Sequence, residues 1–241
     1  MLIFGMLATP HALLAELYTD EINSRIYWLG KVLIAFLPYW LAGLGAGAIV
    51  LTLGALLSRV LLVDQLRPRE ERCLLTLKKR ANPTWDRITI AVTYLAQGQV
   101  TIPLLLAISG VLLYRGEAAA ALILTLGLCG SWLLNGIFKA FFRRQRPDLW
   151  EYANRPVDYS FPSGHSMSAV SFYGLLAASL RANFGISFGI TIPVAAAIAV
   201  GVGFSRLYIG VHWPTDVLCG WLAGGIWLEA CLYGFIHITG I

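Results

Sequence analysis

Charge is scarce in this chain. Charged side chains make up 13% of 241 residues, where a soluble domain carries about 25%. With a mean hydropathy of +0.70, that shortage argues against the alternative of an all-helical water-soluble protein, because too little polar surface remains to face solvent. Cysteine is sparse and unpatterned. Cys73, Cys129, Cys219 and Cys231 have neither metal-ligand spacing nor the density of a disulfide scaffold, and read as structural thiols. Histidine is equally rare, at four, and His11 and His237 lie far from the others in sequence. Carboxylates near the polar patches are few. No metal site and no cofactor are expected. Lys and Arg are absent before Arg25, and Pro10-His11 cuts the first apolar run short, which argues against a signal peptide. Residues 1–31 read instead as a leader or an interfacial helix. No internal repeat stands out.

What the chain does have is long apolar runs. Charge-free stretches cover 32–58, 88–114, 118–138 and 182–205, each close to or above the roughly 20 residues that cross a bilayer as a helix. Two more runs carry ionisable residues: 159–180 contains His165, and 213–236 contains Asp216 and Glu229. None alternates as a strand does, and backbone groups in lipid must pair internally, so helices are expected. The fold class is all-α: a polytopic membrane protein of six transmembrane helices, with its active site at one membrane face. One membrane-embedded domain accounts for 1–241. Residues 64–87 form a charged connecting segment, read as a short surface helix ended by Asn82-Pro83, since Pro83 disfavours helical geometry at Asn82.

Three polar patches interrupt the apolar pattern. The first is Lys139 with Arg146-Pro147, the second Pro162-Ser163-Gly164-His165, and the third Ser205-Arg206, His212 and Asp216. If the helices alternate in direction, the third span ends at the first patch and the fourth starts at the second. The fifth ends at Arg206 and the sixth starts near Asp216. All these ends fall on one side of the membrane, so patches distant in sequence can meet.

Their residue types suit attack on phosphorus. His212 and Asp216 are four apart, with Pro214 fitted to a first helical position. A carboxylate there is favoured by the helix dipole and can hold one imidazole nitrogen while the other faces substrate. That makes His212 a candidate nucleophile. A capping Asp beside an interfacial His is the plainer reading of the same pair. His165 follows Gly164 at a helix start, where exposed N–H groups can cradle phosphate oxygens, and it is placed to act as general acid. Lys139, Arg146 and Arg206 supply positive charge for non-bridging oxygens. Arg143 and Arg144 have no assigned role, and Arg206 with Asp216 forms an alternative structural ion pair.

The combination resembles the type 2 phosphatidic acid phosphatase superfamily. Lys139 with Arg146-Pro147, then Pro162 to His165, then Ser205-Arg206 with His212 and Asp216 match its three-part signature over residues 139–216. The resemblance implies a metal-independent phosphatase with a phosphohistidine intermediate. His212 would attack phosphorus with help from Asp216, and His165 would protonate the leaving group and then activate water. Lys139, Arg146, Ser163, Gly164, Arg206 and Ser205 would bind the phosphoryl oxygens. The membrane branch of the family further implies a lipid substrate, with phosphatidylglycerophosphate and undecaprenyl diphosphate leading.

The partners expected are the lipid substrate and the bilayer, with no nucleic acid and no obligate protein. A formal charge of +5 is put to use against anionic headgroups. A multi-pass cell-membrane location follows, and the family resemblance puts the site on the extracytoplasmic side. The basic residues of 64–87 pull the other way, because short loops rich in Lys and Arg usually stay inside. A lipid-binding or transport membrane protein with a decayed phosphatase site is the alternative, since intramembrane ionisable residues also mark transport paths.

Overall fold

The structure, a computed structural model, describes residues 63–150 and 156–239, together with scattered helical positions between Tyr27 and Thr52. The expected leader, and most of the expected first span over 32–63, lie outside the described residues. From Val63 onward the described chain is helical: α1 (Val63–Lys79), α2 (Pro83–Tyr94), α3 (Gly98–Tyr114), α4 (Ala118–Phe142), α5 (Gly164–Phe184), α6 (Phe188–Tyr208) and α7 (Pro214–Thr239). Among the described residues α4, α6 and α7 are long and apolar enough to cross a bilayer. The pair α2 and α3, bent by 44° at its break, meets the same test when taken together, for up to four such spans. Large apolar side chains face outward along these helices, including Leu106, Leu113, Ile190, Ile192 and Leu222. In water that surface would be costly; in a bilayer it is the solvent-facing side. This is a membrane protein.

The second span departs from the continuous helix expected over 88–113. Gln97 is extended, with φ −90° and ψ 151°, and starts α3. The break frees backbone carbonyls that lipid cannot satisfy. Tyr173 of α5 meets one of them, its hydroxyl donating to the Leu95 carbonyl at 2.6 Å. At the other end of α2, Asn82 is extended, as Pro83 requires, and its side chain accepts from the Thr84 and Trp85 amides. Pro83 therefore opens a helix as well as separating it from α1.

At the centre sits α5, packed against α4, α6 and α7. It buries Ser166, Ser168, Ser171, Ser179 and Asn183, and these keep it out of the set of strongly apolar spans despite its 21 residues. Surrounded by protein, it does not need an apolar exterior. Its serines pair locally, as when Ser171 Oγ donates to the Met167 carbonyl at 3.0 Å. The α4–α7 seam is keyed by Trp227, fully buried, whose Nε1 donates to the Gly127 carbonyl at 2.7 Å. A Cβ at Gly130 would lie 2.2 Å from the Trp227 ring, so glycine there lets helix and indole touch. Trp40 meets Trp227 edge-on, with centroids 5.6 Å apart.

Candidate active site

The C-terminal ends of α4 and α6 and the N-terminal ends of α5 and α7 converge. They bring the three polar patches into one site. Lys139 lies in the last turn of α4, which is closed by Arg143 at φ 47°. The chain then runs back through Arg144 and Arg146. Ser163 caps α5, and its amide donates to the Asp216 carbonyl at 2.9 Å, lashing the start of α5 to the first turn of α7. Gly164 is there for space. A Cβ would stand 2.7 Å from Asn135 Oδ1, and Asn135 in turn donates to the Pro162 carbonyl at 3.1 Å. The turn between α6 and α7 passes through Gly210 at φ +80°, where Trp150 packs directly on the backbone. Only glycine meets both demands.

His212 is buried at 1% exposure. Its Nε2 lies 3.1 Å from Arg146 Nη1, and its Nδ1 lies 3.4 Å from Asp216 Oδ2, within ion-pair range but without a formed hydrogen bond. A guanidinium can only donate, so Nε2 accepts. In the neutral ring the proton then sits on Nδ1, facing the carboxylate. Burial first, then the charges of Arg206, Arg146 and Lys139, push the imidazole well below its usual 6.5. His165 stands at the start of α5, near enough to Arg206, His212, Lys139 and Arg146 to feel each charge. Its Nε2 is buried and has no hydrogen-bond partner among the described residues.

The cations are already engaged. Lys139 pairs with Asp158. Arg146 spreads its guanidinium over the Asp158 carboxylate (Nη2 to Oδ1, 2.6 Å), the Asp158 carbonyl (2.9 Å) and the Val211 carbonyl (2.7 Å). Burial alone would raise the Asp158 carboxyl, but hydrogen bonds and charge from Lys139 and Arg146 outweigh it and hold the group down to about 2. Arg206, buried, donates from Nη1 to Thr93 Oγ1 at 2.8 Å, so α2 also braces the site. Ser205 is fully buried, and its hydroxyl donates back to the Val202 carbonyl at 2.7 Å. It faces its own helix in this structure.

Three residues gain a place that the sequence reading did not assign. Arg144 donates from Nη1 to Asp216 Oδ1 at 2.7 Å, so the ion-pair partner of Asp216 is Arg144, in place of the Arg206 pairing expected as the alternative. Glu70 of α1 is buried at 5% and accepts from Arg144 Nη2 at 2.6 Å. Asp158 pairs with two of the predicted phosphate-binding cations, in a region poor in carboxylates. The signal for Arg144 was its position two residues before Arg146. Glu70 had none, since nothing in a charged segment marks which carboxylate turns inward. Among the described residues no group of three His, Cys, Asp or Glu side chains is arranged to hold a metal ion.

Comparison with known proteins decides the family. Residues 120–237 match the family model of the PAP2 superfamily. Phosphatidylglycerophosphatase B of Bacillus subtilis is 32% identical over 145 residues, which cover 59% of this chain and 71% of that protein. The chain belongs to the PAP2 superfamily. The undecaprenyl-diphosphatase of Sulfolobus acidocaldarius is 35% identical over 80 residues, 31% of this chain and 32% of its own length. The crystal structure of the transmembrane PAP2 type phosphatidylglycerolphosphate phosphatase from Bacillus subtilis superposes with a TM-score of 0.71 at 28% identity, covering 80% of this chain and 96% of that one. Aquifex aeolicus LpxE gives 0.52 at 27% identity, covering 66% and 92%. The matched segment thus contains the whole 139–216 signature, and the fold likeness extends well beyond it.

Proposed function

We propose that the protein is a membrane lipid phosphatase that works without a metal through a phosphohistidine intermediate. His212 Nε2 attacks phosphorus, and the bond to the leaving oxygen breaks as His165 delivers a proton to it. Water then attacks the phosphorus on His212, His165 takes the water's proton, and phosphate departs with the imidazole restored. Lys139, Arg146 and Arg206 stabilise the charge on the non-bridging oxygens, and the backbone amide of Gly164 at the start of α5 cradles them, while the Ser163 amide, engaged by the Asp216 carbonyl, holds that turn in place. The observation that carries this reading is the His212 ring. Its Nδ1 faces a buried carboxylate, while its Nε2 lies beside Arg146, and His165 is close enough to feel its charge.

The substrate proposed is phosphatidylglycerophosphate or undecaprenyl diphosphate, the compounds in the names of similar proteins. The site lies at the ends of membrane helices, which suits a head at the interface and a tail among the helices. An extracytoplasmic site belongs to the same proposal. The test is phosphate release by detergent-solubilised protein in chelator, with these lipids, phosphatidic acid and short soluble phosphates compared in mixed micelles. A lipid should give the highest kcat/KM, and His212→Ala should abolish release. A soluble compound outrunning every lipid would overturn the substrate class. Lipid binding with no turnover would instead favour a decayed site.

A further inference from the structure

We propose that Glu70 and Arg144 are positioning residues that set the reactive orientation of His212 through Asp216. The inference rests on the reading of His212 as nucleophile, and adds the device that aims it.

The contacts form a closed circuit across three parts of the chain. Glu70 comes from α1, Arg144 from the link after α4, and Thr215 and Asp216 from the first turn of α7. Glu70 Oε1 accepts from the Thr215 amide at 3.0 Å and from its hydroxyl at 2.5 Å, while Oε2 accepts from Arg144 Nη2 at 2.6 Å. Arg144 Nη1 reaches both Thr215 Oγ1 and Asp216 Oδ1 at 2.7 Å. The Trp213 ring lies beside the guanidinium, 5.4 Å from its central carbon, which limits how the fork can swing.

Asp216 is thereby gripped on both oxygens. Oδ1 is taken by Arg144, and Oδ2 accepts from the Trp213 amide at 2.8 Å while facing His212 Nδ1. A carboxylate held by one oxygen alone can turn about its last torsion, which is broad. Held by both, it presents one oxygen to the imidazole and favours the ring form with its proton on Nδ1. Nε2 then carries the unprotonated lone pair, which here accepts from Arg146 Nη1 and attacks phosphorus once that contact opens. The Glu70 carboxylate, in turn, stops Arg144 from rotating away. Neither side chain is paired with Lys139, Arg146 or His165, so neither touches the groups that would hold phosphate.

Misplacing a reacting group by about 1 Å can cost about 10²-fold. Glu70→Gln and Arg144→Lys should therefore lower kcat by about 10- to 100-fold, with the loss in formation of the phosphoenzyme in single-turnover experiments. KM, and competitive inhibition by inorganic phosphate, should stay within about twofold, because the phosphate-binding cations are untouched. The ¹⁵N signals of the His212 imidazole in labelled, detergent-solubilised protein provide a readout independent of turnover. The wild type should show the Nδ1–H form, and both variants should show a mixture. A folded variant with unchanged kcat and an unchanged His212 spectrum overturns the proposal, and so does a rise in KM at constant kcat. Loss of folding in both variants reduces the pair to structural support and also overturns it. If the wild type hydrolyses no phosphate at all, the functional reading fails, while the ¹⁵N comparison still decides whether Glu70 and Arg144 orient the ring.

Discussion

Asp158→Asn should tighten phosphate binding. The Asp158 carboxylate is bound by Lys139 and Arg146, two of the cations proposed to hold the phosphoryl oxygens, so an incoming phosphate competes with it. The strength of the competitor can be read from its acidity. The drop from 3.8 to about 2 corresponds to about 2.4 kcal/mol, at about 1.36 kcal/mol per pH unit. Half of the side chain is exposed, and screening by water cuts this to about 1 kcal/mol. That is a factor of about five in affinity. The asparagine keeps the shape and gives up the charge, so the inhibition constant for inorganic phosphate should fall about fivefold, with kcat little changed. The assay is competitive inhibition of phosphate release in mixed micelles at fixed detergent. The sign with pH follows from the depressed acidity. The ion pairs stabilise the fold above the ordinary carboxylate range and are lost as pH falls through about 2, so the competition persists at every pH of physiological interest. An unchanged or higher inhibition constant in Asp158→Asn would refute this reasoning. The carboxylate would then be organising the cations, and its loss would disorder them.

His165→Ala should slow hydrolysis by about 10²–10⁴-fold for a lipid with a poor leaving group and far less for an activated aryl phosphate; equal losses would remove its general-acid role. The acid limb of kcat/KM should lie below pH 6.5, because burial keeps His212 unprotonated. For the same reason stability should decline as pH drops below 6.5, where the unfolded state binds the proton more readily; both are measured by pH titration, of rate and of melting temperature. Trp227→Ala should cost about 3–5 kcal/mol, and Gly130→Ala about 1–3 kcal/mol through overpacking against the indole. Thermal unfolding in detergent should rank them in that order.

Much of the plan of the molecule could be read from the order of its residues, for physical reasons. Charge-free runs of bilayer length without strand-like alternation mark helices, because in lipid only a helix or a closed barrel pairs every backbone group. Alternation of those helices places Lys139, His165, Arg206 and Asp216 at one end before any contact is known. The proline at 83 forces Asn82 out of helical geometry from local sterics alone. What stayed hidden depends on contacts between distant segments. The bend between α2 and α3 is tolerable because Tyr173, far along the chain, satisfies a carbonyl there. Glu70 and its neighbour Glu71 look alike in sequence, yet Glu70 is buried against Arg144 while Glu71 pairs along the helix surface with Arg67. Asp158 sits in a polar stretch like any loop carboxylate until the fold delivers Lys139 and Arg146 to it. Local chemistry writes helices and caps; pairings across 74 or 145 positions require the assembled bundle.

The serine-rich character of α5 has a consequence for how the protein reaches its membrane. A helix released alone into lipid must be apolar enough to stay there, and this one spends its inner faces on hydroxyls and an amide. Only a short turn through Gly185 and Ser187 separates it from α6, a strongly apolar helix. The two should leave the insertion machinery as one hairpin, with α6 carrying its polar companion across. Lengthening that turn with a flexible insert would separate the pair in time and strand α5 at the surface during synthesis. The cost would appear as lost yield and degradation, even where the finished fold could accept the insert.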